Sequence, residues 1–345
     1  MLYIHEASCI SPQQTFSTID LEHVTDPVDN KLHVAEPAYG GIPKNMLRRM
    51  GKAVRIGVGA SLPLLDKISS LNGFIIGTAN GGMEESILFL KQIIAYDEGV
   101  LTPGSFVQST ANATAAQLSL LTGNRGYNIT HVHRGLAFEN AVIDAAMMVN
   151  ENKGTSYLLG GIDDISNYNY KLDYMDGWYK EEEIDGQSFY STNSAGSIAG
   201  EGAAIFLVND HAQNALAKVK AIKTLHSADP DLIKRAFEGF IKEQQVDLSS
   251  CIFLSGENGD SRLLPFYTSC EEILGTDITI ARFKHLCGEY PTASAFALWL
   301  SCQLLNRLQM PEHMIKKHGS AKQPSSILIY NNHKNAQHSF MLIES

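Results

Sequence analysis

The stretch Gly126 to Met148, "GYNITHVHRGLAFENAVIDAAMM", decides how the rest of the chain is read. A short β-rich run, Tyr127 to His133, meets Gly135, and a helix-like run, Leu136 to Met148, follows at once. Strand, sharp turn and helix is how several enzyme folds present a nucleophile. The free N–H groups of such a helix N-terminus stabilise an anion. The turn carries neither Cys nor Ser. The spacing predicts an elbow without its reactive atom.

Outward from the elbow, the chain alternates strands and helices. "LNGFIIGTANGGMEES" (71–86) reads as a strand, a glycine turn and a helix; "GTSYLLGGIDDIS" (154–166) reads as a buried strand; "GSIAGEGAAIFLV" (196–208) reads as a turn and a strand. After about residue 210 the order restarts, ending in "SILIYN" and "SFMLIE". Alternation of this kind implies a parallel sheet covered on both faces. Two similar blocks predict duplicated halves, 1–210 and 211–345.

The 345 residues are 44% hydrophobic, enough for a large core, and the net charge of −10 argues against nucleic acid as a partner. Five cysteines, an odd number with no C-x-x-C pair, fit a reduced, cytoplasmic setting better than a disulfide framework. The opening residues lack the charge and apolar run of a signal peptide, and no apolar window is long enough to span a membrane.

The order of these motifs resembles the thiolase-fold β-ketoacyl synthases over most of the chain. "FIIGTANGGMEE", the elbow, "YLLGGIDDIS" and "AGSIAGEGAAIFLV" resemble the first half of that family. "FLSGENGDSRLLPFYTSCEEILG" and "KHLCGEYPTASAFALWLSCQLL" resemble the second. The resemblance implies a thiolase-like fold in which two duplicated α/β halves form a five-layer α-β-α-β-α sandwich. It implies decarboxylative condensation through a cysteine, two histidines, a lysine and a backbone oxyanion hole, with no cofactor and no metal.

Carried over residue by residue, the resemblance places the nucleophile at Gly135, the first histidine at Ser255 and the second at Glu289; the lysine is kept as Lys284. The family's late glycine-rich turn is replaced by "NNHKNAQH" (331–338). An ion pair between Lys284 and Glu289 is expected inside the former site, since a buried lysine needs such a partner.

Other candidate residues also have plainer roles. His131 and His133 are expected on one strand face. With Cys287 they suggest a displaced nucleophile–base pair, against which stands the plainer role of hydrogen-bonded residues near an interface. Zinc on these histidines, Cys287 and Glu289 lacks the local ligand spacing of known sites. Gly77, Gly81 and Gly82 fit neither phosphate-loop pattern. Asp163 and Asp164, adjacent at a strand end, point to opposite faces.

The resemblance therefore implies a ketosynthase-like protein without condensing activity, acting like a chain-length factor. Its implied partners are an active ketosynthase subunit and an acyl carrier protein, in a homo- or heterodimer. The expected interface is the strand Tyr127 to His133, including Ile129 and Val132, with the loop near Phe106. Alternatives are an acyltransferase or thioesterase-like enzyme using Cys287 or Ser255, with His133, and a module that binds a carrier protein or lipid.

Overall fold

The computed structural model describes residues 1–68, 70–101, 103–186, 188–320 and 324–345. In the first half the elements are β1 (Leu2–Ile10), β2 (Lys31–Leu32), α1 (Lys44–Leu47), α2 (Lys52–Leu65), β3 (Gly73–Gly77), α3 (Met83–Ala95), α4 (Pro103–Gln108), α5 (Ala113–Thr122), β4 (Tyr127–His131), α6 (Ala137–Glu151), β5 (Tyr157–Asp163), α7 (Asn167–Met175), β6 (Ala199–Gly200) and β7 (Gly202–Asn209). The second half holds β8 (Ala217–His226), α8 (Pro230–Gln244), β9 (Cys251–Ser255), α9 (Leu264–Glu271), β10 (Thr279–Arg282), α10 (Lys284–Cys287), α11 (Ala293–Leu305), β11 (Ile315–Lys317), β12 (Ser326–His333) and β13 (Gln337–Glu344).

The two halves repeat one strand order. From their joint outward, the first runs β1, β7, β5, β3, β4, and the second runs β8, β13, β12, β9, β10. In each, two antiparallel pairings are followed by two parallel ones. Leu2 to Ile4 of β1 pair with Ala217 to Val219 of β8, so the half-sheets join into one 11-stranded ladder.

Side-chain alternation builds the layers. Phe74 and Ile76 of β3 face α2 and α5, while Ile75 faces the centre. Phe253 of β9 faces α8 and α9, while Ile252 and Leu254 face the centre. The central layer is α6 with α11. Helix α11, "ASAFALWLSCQLL", is apolar all round and buries 12 of its 13 residues, as a helix between two sheets must. The five-layer sandwich follows. A side chain at Gly77 would strike the backbone of Ala137 and Phe138, so that position must stay bare for α6 to reach the sheet.

Candidate functional site

Strand β4 ends at His131, two residues earlier than the sequence predicts. Arg134 then takes φ +48°, turning the chain into a 3₁₀ turn, Arg134–Leu136, that leads into α6. That turn carries His133 off the strand, so the two histidines do not share a strand face. His131 Nε2 lies 2.9 Å from Asp144 Oδ2 on α6. His133 is exposed and pairs with Asn140 at 2.8 Å.

Gly135 is buried, and its surroundings answer why the turn has no reactive atom. A Cβ on Gly135 would overlap His333 Cβ and Cγ and come within 2.7 Å of its Cδ2. The Gly135 N–H donates to Gln337 Oε1 at 2.9 Å. His333 and Gln337 flank the turn of the β12–β13 hairpin. The segment 331–338 therefore fills the space a side chain at 135 would take and engages the backbone donor beside it. These residues lie some 200 positions from the elbow, and no local spacing signals the contact.

Beneath this hairpin tip lies the buried ion pair. Lys284 Nζ stands 2.9 Å from Glu289 Oε2, which also accepts from Asn258 Nδ2 at 2.9 Å. Burial would raise the Glu289 carboxyl, but Lys284 and His333 outweigh it and hold it at about 2. His333 Nδ1 is 3.6 Å from Glu289 Oε1, within ion-pair range but longer than a hydrogen bond. A hollow of about 30 Å³ remains here, lined by Glu289, Asn258, Tyr290 and His333. That is room for about one water. Outside the hairpin tip a cleft of about 830 Å³ opens, lined by Arg134, Met83, Leu172, Trp178 and Lys334.

The alternative nucleophiles are not brought together. Cys287 is fully buried in the central core, and burial pushes its thiol up, away from the reactive thiolate. Ser255, also buried, accepts from the Glu257 N–H at 3.3 Å. Each has its own partners, and the exposed His133 pairs with Asn140 instead. No group of three or more metal-ligating side chains occurs among the described residues.

Asp163 ties elements together. One oxygen accepts from Ala79 N–H (2.9 Å), Asn80 N–H (2.8 Å) and Thr78 Oγ1 (3.0 Å), and the other from Thr292 Oγ1 (2.8 Å). Asp164 has a different setting. Burial first, then Glu201 and Asp163, push its carboxyl up to about 7.

The expected interface residues divide. β4 is the free end of the ladder. Val132 is 57% and Phe106 60% exposed. Ile129 packs into the central core instead, and Tyr127 donates to Asp144 on α6, because alternate residues of β4 face that helix.

Comparison with known proteins accords with this geometry. Residues 25–172 match the family model of the β-ketoacyl synthase N-terminal domain. No curated relative matches the sequence. Among solved structures, a β-ketoacyl synthase from Burkholderia phymatum superposes with TM-score 0.78 at 13% identity, covering 99% of this chain and 98% of that one. A type II polyketide acyl carrier protein in complex with its hexaketide-bound ketosynthase gives 0.75 at 14%, covering 100% and 99%. A ketosynthase in complex with its chain length factor from Xenorhabdus doucetiae gives 0.76 at 12%, covering 99% and 97%. The chain has the thiolase-like ketosynthase fold.

Proposed function

We propose that this chain is a ketosynthase-like subunit without condensing activity, which partners an active ketosynthase and its carrier protein as a chain-length factor does. One observation carries the reading. The place of the nucleophile is a glycine, and the space beside it is filled by His333 and Gln337. An acyl thioester has neither an atom to form on nor room to lie in. Ser255 and Glu289 stand where the resemblance places the histidines. A carboxylate held ionised at Glu289 repels an enolate that imidazole would stabilise.

The partner is argued from the sheet edge. Among the described residues β4 pairs only with β3, and an unpaired strand edge invites a second strand. Val132 just after β4 is exposed, as are Leu120 on α5 and Met147 on α6, the two helices packed against β4. An apolar surface of this kind suits an obligate two-subunit contact. Five free cysteines fit a reducing cytoplasm. The test is co-expression with an intact ketosynthase from the same gene neighbourhood, followed by light scattering. A one-to-one complex is expected. A well-behaved monomer at micromolar concentration, alone and in the mixture, would overturn the proposal.

A further inference from the structure

A chain of hydrogen-bonded rings runs beside the outer edge of the second half. Tyr190 Oη lies 3.0 Å from His285 Nδ1, His285 Nε2 lies 2.8 Å from His313 Nδ1, and His313 Nε2 lies 2.7 Å from the Leu21 carbonyl oxygen. His285 is on α10, Tyr190 precedes β6, and His313 sits in the 3₁₀ turn Glu312–Met314 that leads into β11. We propose that this chain is a one-proton latch, which keeps β11 over the edge of β10 near neutral pH and lets it open in mild acid.

The direction of the chain follows from its end. A carbonyl only accepts, so His313 Nε2 carries a hydrogen. Between the two rings there is room for one hydrogen only. With His313 neutral, its Nδ1 accepts and His285 donates from Nε2. His285 Nδ1 then accepts from the Tyr190 hydroxyl, whose oxygen takes the His285 backbone N–H at 3.2 Å. Both imidazoles are therefore neutral and in the same tautomer.

A further proton has no good place. On His313 Nδ1 it would meet the His285 N–H, and on His285 Nδ1 it would meet the Tyr190 O–H. No counter-charge is to hand. The charged groups facing His285 are His313 and Arg282, and the Arg282 guanidinium stacks on the Tyr190 ring at 3.7 Å. Glu257 is already shared by Arg282 (3.1 Å) and Lys316 (2.5 Å), and Glu312 turns to His318 at 2.7 Å. Burial first, then His313 and Arg282, hold the His285 imidazole down at about 3, against its ordinary 6.5. Once released, the ring takes up the proton that the closed latch refuses. The latch is therefore at full strength above about pH 6.5 and weakens as pH falls toward 3.

The element it holds is small. β11 has three residues and pairs with β10 at two positions, Ile280 with Lys317 and Ala281 with Ile315, across an irregularity. Lys316 adds ion pairs to Glu257 and Glu271. Lifting β11 would give the second half an open strand edge as well.

Hydrogen exchange of the whole chain, corrected for intrinsic rates, tests the latch. Residues 315–317 are expected to exchange ahead of 327–330 in β12, through a local opening. Their opening equilibrium should rise at least about tenfold from pH 6 to pH 5, because the open form binds one more proton. His285→Gln removes the titrating ring, and its amide can turn to face His313 as donor or acceptor. In that variant the opening should be indifferent to pH over the same range. Exchange of 315–317 together with 327–330, a flat wild type, or a slope that survives in His285→Gln would overturn the latch. If the variant does not fold, ring-nitrogen resonances of the wild type at pH 6 decide. Two neutral imidazoles with hydrogen on Nε2 support the latch, and an imidazolium or an Nδ1–H tautomer at either residue overturns it.

Discussion

The two half-sheets share a strand order but finish differently. In the second half, β10 is covered by β11, a three-residue antiparallel strand whose sequence is Ile-Lys-Lys. A short edge carrying lysines is a common way to prevent further pairing. In the first half, β4 has no such cover among the described residues; Val132 beyond it, and Leu120 and Met147 on the helices packed against it, are exposed. The same architecture therefore has one finished edge and one open edge. On the proposed function, that difference assigns partnership to the first half and accounts for an elbow that persists without chemistry. Strand β4 and helix α6 are shared by the elbow, the core and the open edge.

The largest expected effect breaks that asymmetry. Val132→Lys combined with Leu120→Lys should convert a two-subunit assembly to single chains or insoluble protein, read by light scattering. Lys317→Glu on the finished edge should leave assembly unchanged. Equal sensitivity of the two edges would contradict the comparison.

The next effect concerns the ion pair under the hairpin tip. Glu289→Ala leaves Lys284 buried without its partner and should lower stability by about 3–5 kcal/mol in denaturant unfolding. Replacing both residues, as Lys284→Met with Glu289→Leu, should recover much of that loss. A double variant as damaged as the single one would show that the pair matters through more than its charge.

Two acids give opposite pH signatures. The folded Glu289 value of about 2 lies below its ordinary 4.5. Its stabilisation is therefore fully present above about pH 4.5 and is lost as pH falls toward 2. Asp164 is raised from 3.8 to about 7. The folded chain keeps a proton that the unfolded chain releases, so stability falls as pH rises between those values. Asp164→Asn should flatten that slope, and melting curves from pH 4 to 8 check it. An unchanged slope would remove Asp164 from the account.

Much of this was legible in the sequence because it rests on local pattern. The buried strand read in 154–166 forms β5, and "SILIYN" and "SFMLIE" fall within the paired strands β12 and β13. Helix α2 left no such signal. Its "KAVRIGVGASLPLL" contains two glycines and Pro63, and packing against β1, β5 and β7 overrides that poor propensity. The strand boundary at His131 was missed because the αL turn falls on Arg134 rather than on a glycine. The filling of the space at Gly135 was illegible for a different reason. His333 and Gln337 reach Gly135 only once the second half has folded against the first, and hydrophobic periodicity carries no trace of a polar contact made across the fold.

The central claim is that the elbow holds structure and partner but no acyl group. It is tested most directly by intact mass of the wild-type protein after incubation with an acyl donor, on acyl carrier protein or coenzyme A. The account predicts an unchanged mass, and the same result for Gly135→Cys at short times, because His333 occupies the space a thioester would need. A hydroxylamine-labile acyl adduct on the wild type would contradict it.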